Sequence, residues 1–110
     1  MRNNANMNVS EMEKTSKTVS SYMHLLSSPA RLLLLCQLIE GEKSVGELCK
    51  LIGMKPPAVS QHLAKLRQEK ILITRREGQT IFYTIQDADM KRIMGFLYET
   101  FCKPNSKGDA

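Results

Sequence analysis

One glycine and two prolines within a short stretch, Ser44 to Leu66 (SVGELCKLIGMKPPAVSQHLAKL), leave the chain few ways to fold there. Gly53 is the expected stop of a helix, because only glycine enters the left-handed conformation at little cost. Pro56 and Pro57 fit only a first helical turn, where the missing N–H is not needed. The spacing therefore predicts two short helices joined by a tight turn. Ser44 and Glu47 have the S-x-x-E spacing of a capping box at the start of the first. Val45, Leu48 and Ile52 then fall on one face. Val59, Leu63 and Leu66 form the buried stripe of the second helix. Its opposite face carries Pro57, Ala58, Gln61, Ala64, Lys65 and Gln68, flanked by Ser60 and His62. That face is small, polar and basic, and it suits a helix laid into a DNA major groove.

The charge distribution agrees. The net charge is +5, and Met54 to Thr80 alone holds six Lys/Arg (Lys55, Lys65, Arg67, Lys70, Arg75, Arg76) against Glu69 and Glu77. Most of the excess sits on one part of the chain, as a phosphate-facing surface requires. At 110 residues the chain is expected to form one domain with a modest core. No apolar run approaches the roughly 20 residues of a membrane span, and the N-terminus lacks a signal peptide's charged-then-apolar order. Three cysteines without an export signal predict a cytoplasmic, reducing setting, where thiols are reactive or structural rather than permanently bridged. There is no acid–base pair, phosphate loop or nucleophile–base arrangement, so no enzyme activity and no cofactor is expected.

Along the chain, Met1 to Ser10 is polar and Asn-rich and is expected to be disordered. Glu11 to Ser27 reads as a helix, with Met12, Val19, Tyr22, Met23, Leu25 and Leu26 as its apolar residues. Ser28 caps and Pro29 opens the next, Pro29 to Glu40, ending at Gly41; it is apolar nearly all round and should be buried on most sides. Ile71 to Arg76 and Thr80 to Ile85 alternate as strands, with Ile71, Ile73, Ile81, Tyr83 and Ile85 expected on one face. Glu77-Gly78-Gln79 is the turn between them. A hairpin directly behind a recognition helix is the layout of a winged helix, with Arg75, Arg76, Gln79 and Thr80 on or near the wing. Asp87 caps a last helix to about Cys102, with Met90, Ile93, Met94, Leu97 and Phe101 on one stripe. Residues 103–110 read as a flexible tail. The expected architecture is mainly α with a β-hairpin wing, a winged helix-turn-helix domain over residues 11–102. Met12, Val19, Tyr22 and Met23 from the first helix, with the last helix's stripe, are expected to form a homodimer interface. That would set two recognition helices about one DNA turn apart on a palindrome.

This plan, with the segments SSPARLLLLCQLIEGEKSVGEL, SQHLAKLR and GQTIFYTI, resembles the ArsR/SmtB superfamily of bacterial repressors over about Glu11 to Cys102. It is most similar to the thiol-based, persulfide-sensing subgroup that contains SqrR, BigR and HlyU. The marks of that subgroup are Cys36 in the second helix and Cys102 at the end of the last. Alone, Cys36 reads as a buried core thiol and Cys102 as a stray terminal one. Under the resemblance they become a redox-sensing pair. The implied activity is repression from operator DNA, relieved when persulfide, polysulfide or another oxidant links the pair. An HlyU-like activator that displaces a silencer, a metal- or metalloid-responsive repressor, and an architectural winged helix without inducer are the alternatives. A first-row metal site is not expected: Cys49 stands without a second thiol beside it, and the only histidines are His24 and His62.

Expected DNA contacts are Lys55, Pro57, Ser60, Gln61, His62, Lys65, Arg67, Arg75, Arg76, Gln79 and Thr80. Gln61 can bond adenine bidentately, and Lys65 can reach guanine or a phosphate. Arg75 and Arg76 are expected to divide into one phosphate contact and one strand-stabilising pair. Met54-Lys55-Pro56-Pro57 offers no capping side chain ahead of the recognition helix, unlike commoner relatives.

Overall fold

The computed structural model describes residues 8–102. Of the two expected unstructured segments, residues 1–7 and 103–110 lie outside the described residues. Helix α1 (Val9–Leu26) begins two residues earlier than its apolar pattern suggests, because Asn8 caps it. The Glu11 N–H donates to Asn8 Oδ1 at 2.8 Å, and the Asn8 N–H donates to Glu11 Oε1 at 3.2 Å. Helix α2 (Pro29–Leu38) follows, with Ser28 Oγ accepting from the Arg31 N–H. The Arg31 guanidinium donates to the carbonyls of Leu25 and His24 at 2.8 and 3.1 Å. It thereby satisfies acceptors that the end of α1 would otherwise leave open.

Helices α3 (Val45–Ile52) and α4 (Pro56–Gln68) form the helix-turn-helix. The Ser44/Glu47 capping box starts α3, and Gly53, at φ 71°, ends it in the left-handed region. Pro56 and Pro57 occupy the first turn of α4, and Lys55 at the cap makes no side-chain hydrogen bond. Strands β2 (Leu72–Glu77) and β3 (Thr80–Ile85) form the wing, closed by a two-residue turn in which Gly78 has φ 64°. A third strand, β1 (Lys43–Ser44), pairs antiparallel with β3, so the sheet order is β1-β3-β2. At two residues β1 is too short for alternation to reveal it. Helix α5 (Ala88–Leu97), capped by Asp87, runs into a π-helical turn, Tyr98–Cys102.

The hairpin's register differs from the alternation read in the sequence. Leu72 pairs with Ile85, Thr74 with Tyr83 and Arg76 with Ile81, so Leu72, not Ile71 or Ile73, shares the face of Ile81, Tyr83 and Ile85. Ile73 is 51% exposed. The slip arises at Lys70, whose φ of 64° turns the chain just ahead of the strand. Ile71 is still buried, and its carbonyl accepts from the N–H groups of Gln86 and Asp87.

The core is built on α2. Leu34, Leu35 and Leu38 meet Leu48 of α3, Val59, Leu63 and Leu66 of α4, and Leu72 and Ile85 of the sheet. Burying each such side chain contributes roughly 1.5–3 kcal/mol. Helix α2 is not buried all round, since Leu33 is 47% exposed. Met90 and Met94 also belong to this core with no accessible surface, which corrects their assignment to a dimer interface. A side chain already sealed inside one chain has no area left to bury against another. Tyr22 ties α1 to α5: its Oη donates to Asp87 Oδ2 at 2.6 Å, while the same oxygen accepts the Met90 N–H. The bond to Asp87, with burial, pushes the Tyr22 hydroxyl up to about 12.

Candidate DNA-reading face and thiol pair

Helix α4 turns Val59, Leu63 and Leu66 inward, and this orientation fixes what faces out. Lys55, Pro57, Ser60, Gln61, Ala64, Arg67 and Gln68 are exposed, whereas Ala58, His62 and Lys65 are half-buried at the flanks. Ser60, Gln79 and Thr80 line one groove between α4 and the wing, together with Ser44 to Gly46 at the start of α3. These three expected contacts are thus brought together. Lys65 lies elsewhere, beside a cleft formed with Ser16 to His24 of α1, and pairs with Glu69 at 3.8 Å.

The two wing arginines divide. Arg75 is held from three sides: its guanidinium donates to Glu42 at 2.6 to 3.1 Å, approaches Glu77 at 3.5 Å, and stacks 4.7 Å above the Phe82 ring. Arg75 is the strand-stabilising member, bracing the wing against the loop ahead of β1. Arg76 makes only a long bond, 3.4 Å, to the Gly78 carbonyl in its own turn. The Arg75 hydrogen bonds hold the Glu42 carboxyl below the usual carboxylate range. A depressed carboxyl pKa means that the brace is intact above the ordinary carboxylate range and is lost as pH falls through the lowered value. Arg75→Ala should speed hydrogen exchange at the β2 and β3 amides while barely moving the thermal midpoint, since exposed ion pairs contribute little to global stability. An unchanged exchange pattern would remove Arg75 from the wing's support.

At the far end of the molecule from the turn, α2 and the last turn of the chain bring two thiols together. Cys36 Sγ and Cys102 Sγ are 3.7 Å apart, and both are free. Cys36 is half-buried against the core, and Cys102 is exposed. The π-helical turn winds more loosely than an α-helix, so Cys102 projects in a different direction from the one a continued α5 would give it. Burial, and then the hydrogen bond from and charge of Cys102, push the Cys36 thiol up to about 11; the Glu40 carboxylate one turn away adds to this. Cys49 packs half-buried against the core on α3, remote in the chain from both.

Sequence reasoning missed Phe96, which is 66% exposed on α5 and lines a groove with Val19 and Tyr22 of α1 and Ile93 of α5. Its one available signal was the apolar content of α5 outside the 90-93-94-97 stripe. Glu42 was missed as well, because its partner lies 33 residues away. Among the described residues, no three His, Cys, Asp or Glu side chains converge as a metal site.

The family model described as "Bacterial regulatory protein, arsR family" matches residues 28–74. The chain is 39% identical to the transcriptional activator HlyU of Vibrio cholerae, covering 92% of this chain and 94% of that protein. It is 42% identical to the biofilm growth-associated repressor of Xylella fastidiosa, covering 93% of this chain and 91% of that one. The fold superposes on reduced HlyU from Vibrio cholerae with a TM-score of 0.83, at 37% identity over 86% of this chain and all of the other.

Proposed function

Because the chain belongs to the ArsR family of bacterial regulatory proteins, and is a DNA-binding transcriptional regulator of the winged-helix kind rather than an enzyme, we propose that it is a cytoplasmic, homodimeric repressor released from its operator when Cys36 and Cys102 become linked. The observation that carries this reading is the 3.7 Å separation of the two sulfurs. A direct disulfide requires an S–S distance of about 2.05 Å, so the helices must close by more than an ångström. One added sulfur spans at most about 4.1 Å, twice that bond length, and needs little approach. The geometry therefore favours polysulfide over peroxide as the inducer.

The chemistry follows from exposure. Cys102 meets solvent, and its thiolate attacks a polysulfide, taking up a sulfur chain and expelling a shorter polysulfide. Cys36 then attacks the first added sulfur, expels hydrosulfide or a shorter chain, and closes a bridge. The two thiols are oxidised by two electrons and the polysulfide is reduced by two. Intact-mass and peptide spectrometry after sodium tetrasulfide should find a sulfur-containing bridge between residues 36 and 102 of one chain. A bridge between chains, or one reaching Cys49, would overturn the assignment.

On the DNA side, Gln61 is the proposed base reader and Arg76 the proposed phosphate contact. Gln61→Ala should cost roughly 1–3 kcal/mol on operator DNA and little on random DNA. Arg76→Ala should weaken both about equally and reduce the salt slope by about one. Equal weakening of both DNAs by Gln61→Ala would move direct readout to another residue. The relative named an activator favours a second reading of the sign alone: the same DNA binding could raise expression by displacing a silencer. A promoter fusion with and without a silencing protein separates the two.

A further inference from the structure

We infer that Cys36 and Cys102 form a bidentate site for monosubstituted trivalent arsenicals, a ligand class that needs two thiols and no oxidant. With bonds of about 2.3 Å from each sulfur to a bound centre, a span of 3.7 Å closes an S–centre–S angle of about 107°. A linear two-coordinate ion would need the sulfurs about 4.6 Å apart, which disfavours digonal cations. A tetrahedral ion would fit the angle but needs further ligands, and among the described residues no third His, Cys, Asp or Glu joins a metal-binding group. A trivalent arsenic carrying one organic group is pyramidal and satisfied by two soft thiolates. Leu33, one turn before Cys36 on α2 and 47% exposed, offers apolar surface beside the site for an aryl substituent.

The step is a condensation. An aryl arsenoxide and the two thiols give a cyclic dithioarsonite and one water. Two As–S bonds form, both S–H protons leave on the arsenoxide oxygen, and arsenic stays trivalent. Because no electrons move, the site is distinct from the oxidative bridge, though it rests on the same pair of sulfurs.

The test is titration of the reduced, full-length protein with phenylarsine oxide, read by intact mass. One aryl-arsenic per chain is expected, retained against excess monothiol and removed by a dithiol. Cys102→Ser, at an exposed position that leaves the core untouched, and Cys36→Ser should each lose the monothiol-resistant adduct. Cys49→Ser should keep it. A resistant adduct in Cys36→Ser or Cys102→Ser, an adduct joining two chains, or none in the wild type would overturn the site. Failure here is distinguishable from failure of the switch: loss of the adduct with an intact polysulfide bridge overturns this site and leaves the switch standing.

Discussion

Sodium tetrasulfide should lower the affinity of the wild-type protein for its selected operator at least tenfold, about 1.4 kcal/mol. Cys36→Ser and Cys102→Ser should bind the same DNA normally and ignore the reagent, whereas Cys49→Ser should respond in full. Only part of this rests on the reactivity of the pair. The rest depends on where the bridge pulls. Cys36 lies on α2, which packs against α1, α3, α4 and the wing. Cys102 ends the turn that follows α5. Drawing them together couples the scaffold of the helix-turn-helix to α5, whose other end is held to α1 by the Tyr22–Asp87 hydrogen bond. If α1 and α5 form the dimer seam, the bridge alters the spacing of the two recognition helices. DNA is released only to the extent that the bridged form binds the paired half-sites less well. Fluorescence anisotropy with each variant, reduced and treated, measures that difference directly. A Cys36→Ser protein that still responds in full would dissociate the switch from this pair.

How much of this could be read before the structure depends on the range over which each signal acts. Capping boxes, Pro56-Pro57 and Gly53 act within one or two turns, so the helix-turn-helix was legible almost residue by residue. The stripe Val59, Leu63, Leu66 follows from helical period alone, and all three are fully buried. The hairpin was legible in kind but not in register, because a single residue, Lys70, takes an unusual backbone conformation that no pattern announces. A one-residue slip in a strand moves every side chain to the other face, which is why Ile73 and Leu72 exchanged places. Pairings that close over long separations were the least visible: β1 with β3, Glu42 with Arg75, Tyr22 with Asp87. The thiol pair spans 66 residues and was found only through the family resemblance, since nothing local marks Cys36 or Cys102 as partners.

The largest effect is expected at the dimer seam. Helix α1 is an 18-residue helix with Leu25 as its one buried residue, and Val9, Met12, Val19 and Met23 stand exposed along it. Their spacing of three, seven and four keeps them near one side of the helix, as in a coiled-coil seam. Phe96 and Phe101, 66% and 74% exposed, add aromatic surface from the other end of the chain. Isolated exposed apolar residues mean little, but a contiguous set of this size marks an interaction surface. Leu97 packs partly against the core, so a charge there would confuse lost folding with lost assembly. Phe96→Glu and Val19→Glu avoid that, because both side chains already face solvent in the single chain. Each should leave the circular dichroism unchanged and convert the dimer to monomer in sedimentation, since an unpaired charge sealed in an apolar interface costs about 3–5 kcal/mol. A monomer holds one recognition helix and loses the second half-site, so operator affinity should fall by roughly a hundredfold or more. Non-specific binding, set by phosphate contacts within one chain, should fall much less. Two folded, fully dimeric variants with wild-type operator affinity would place the interface on some other face.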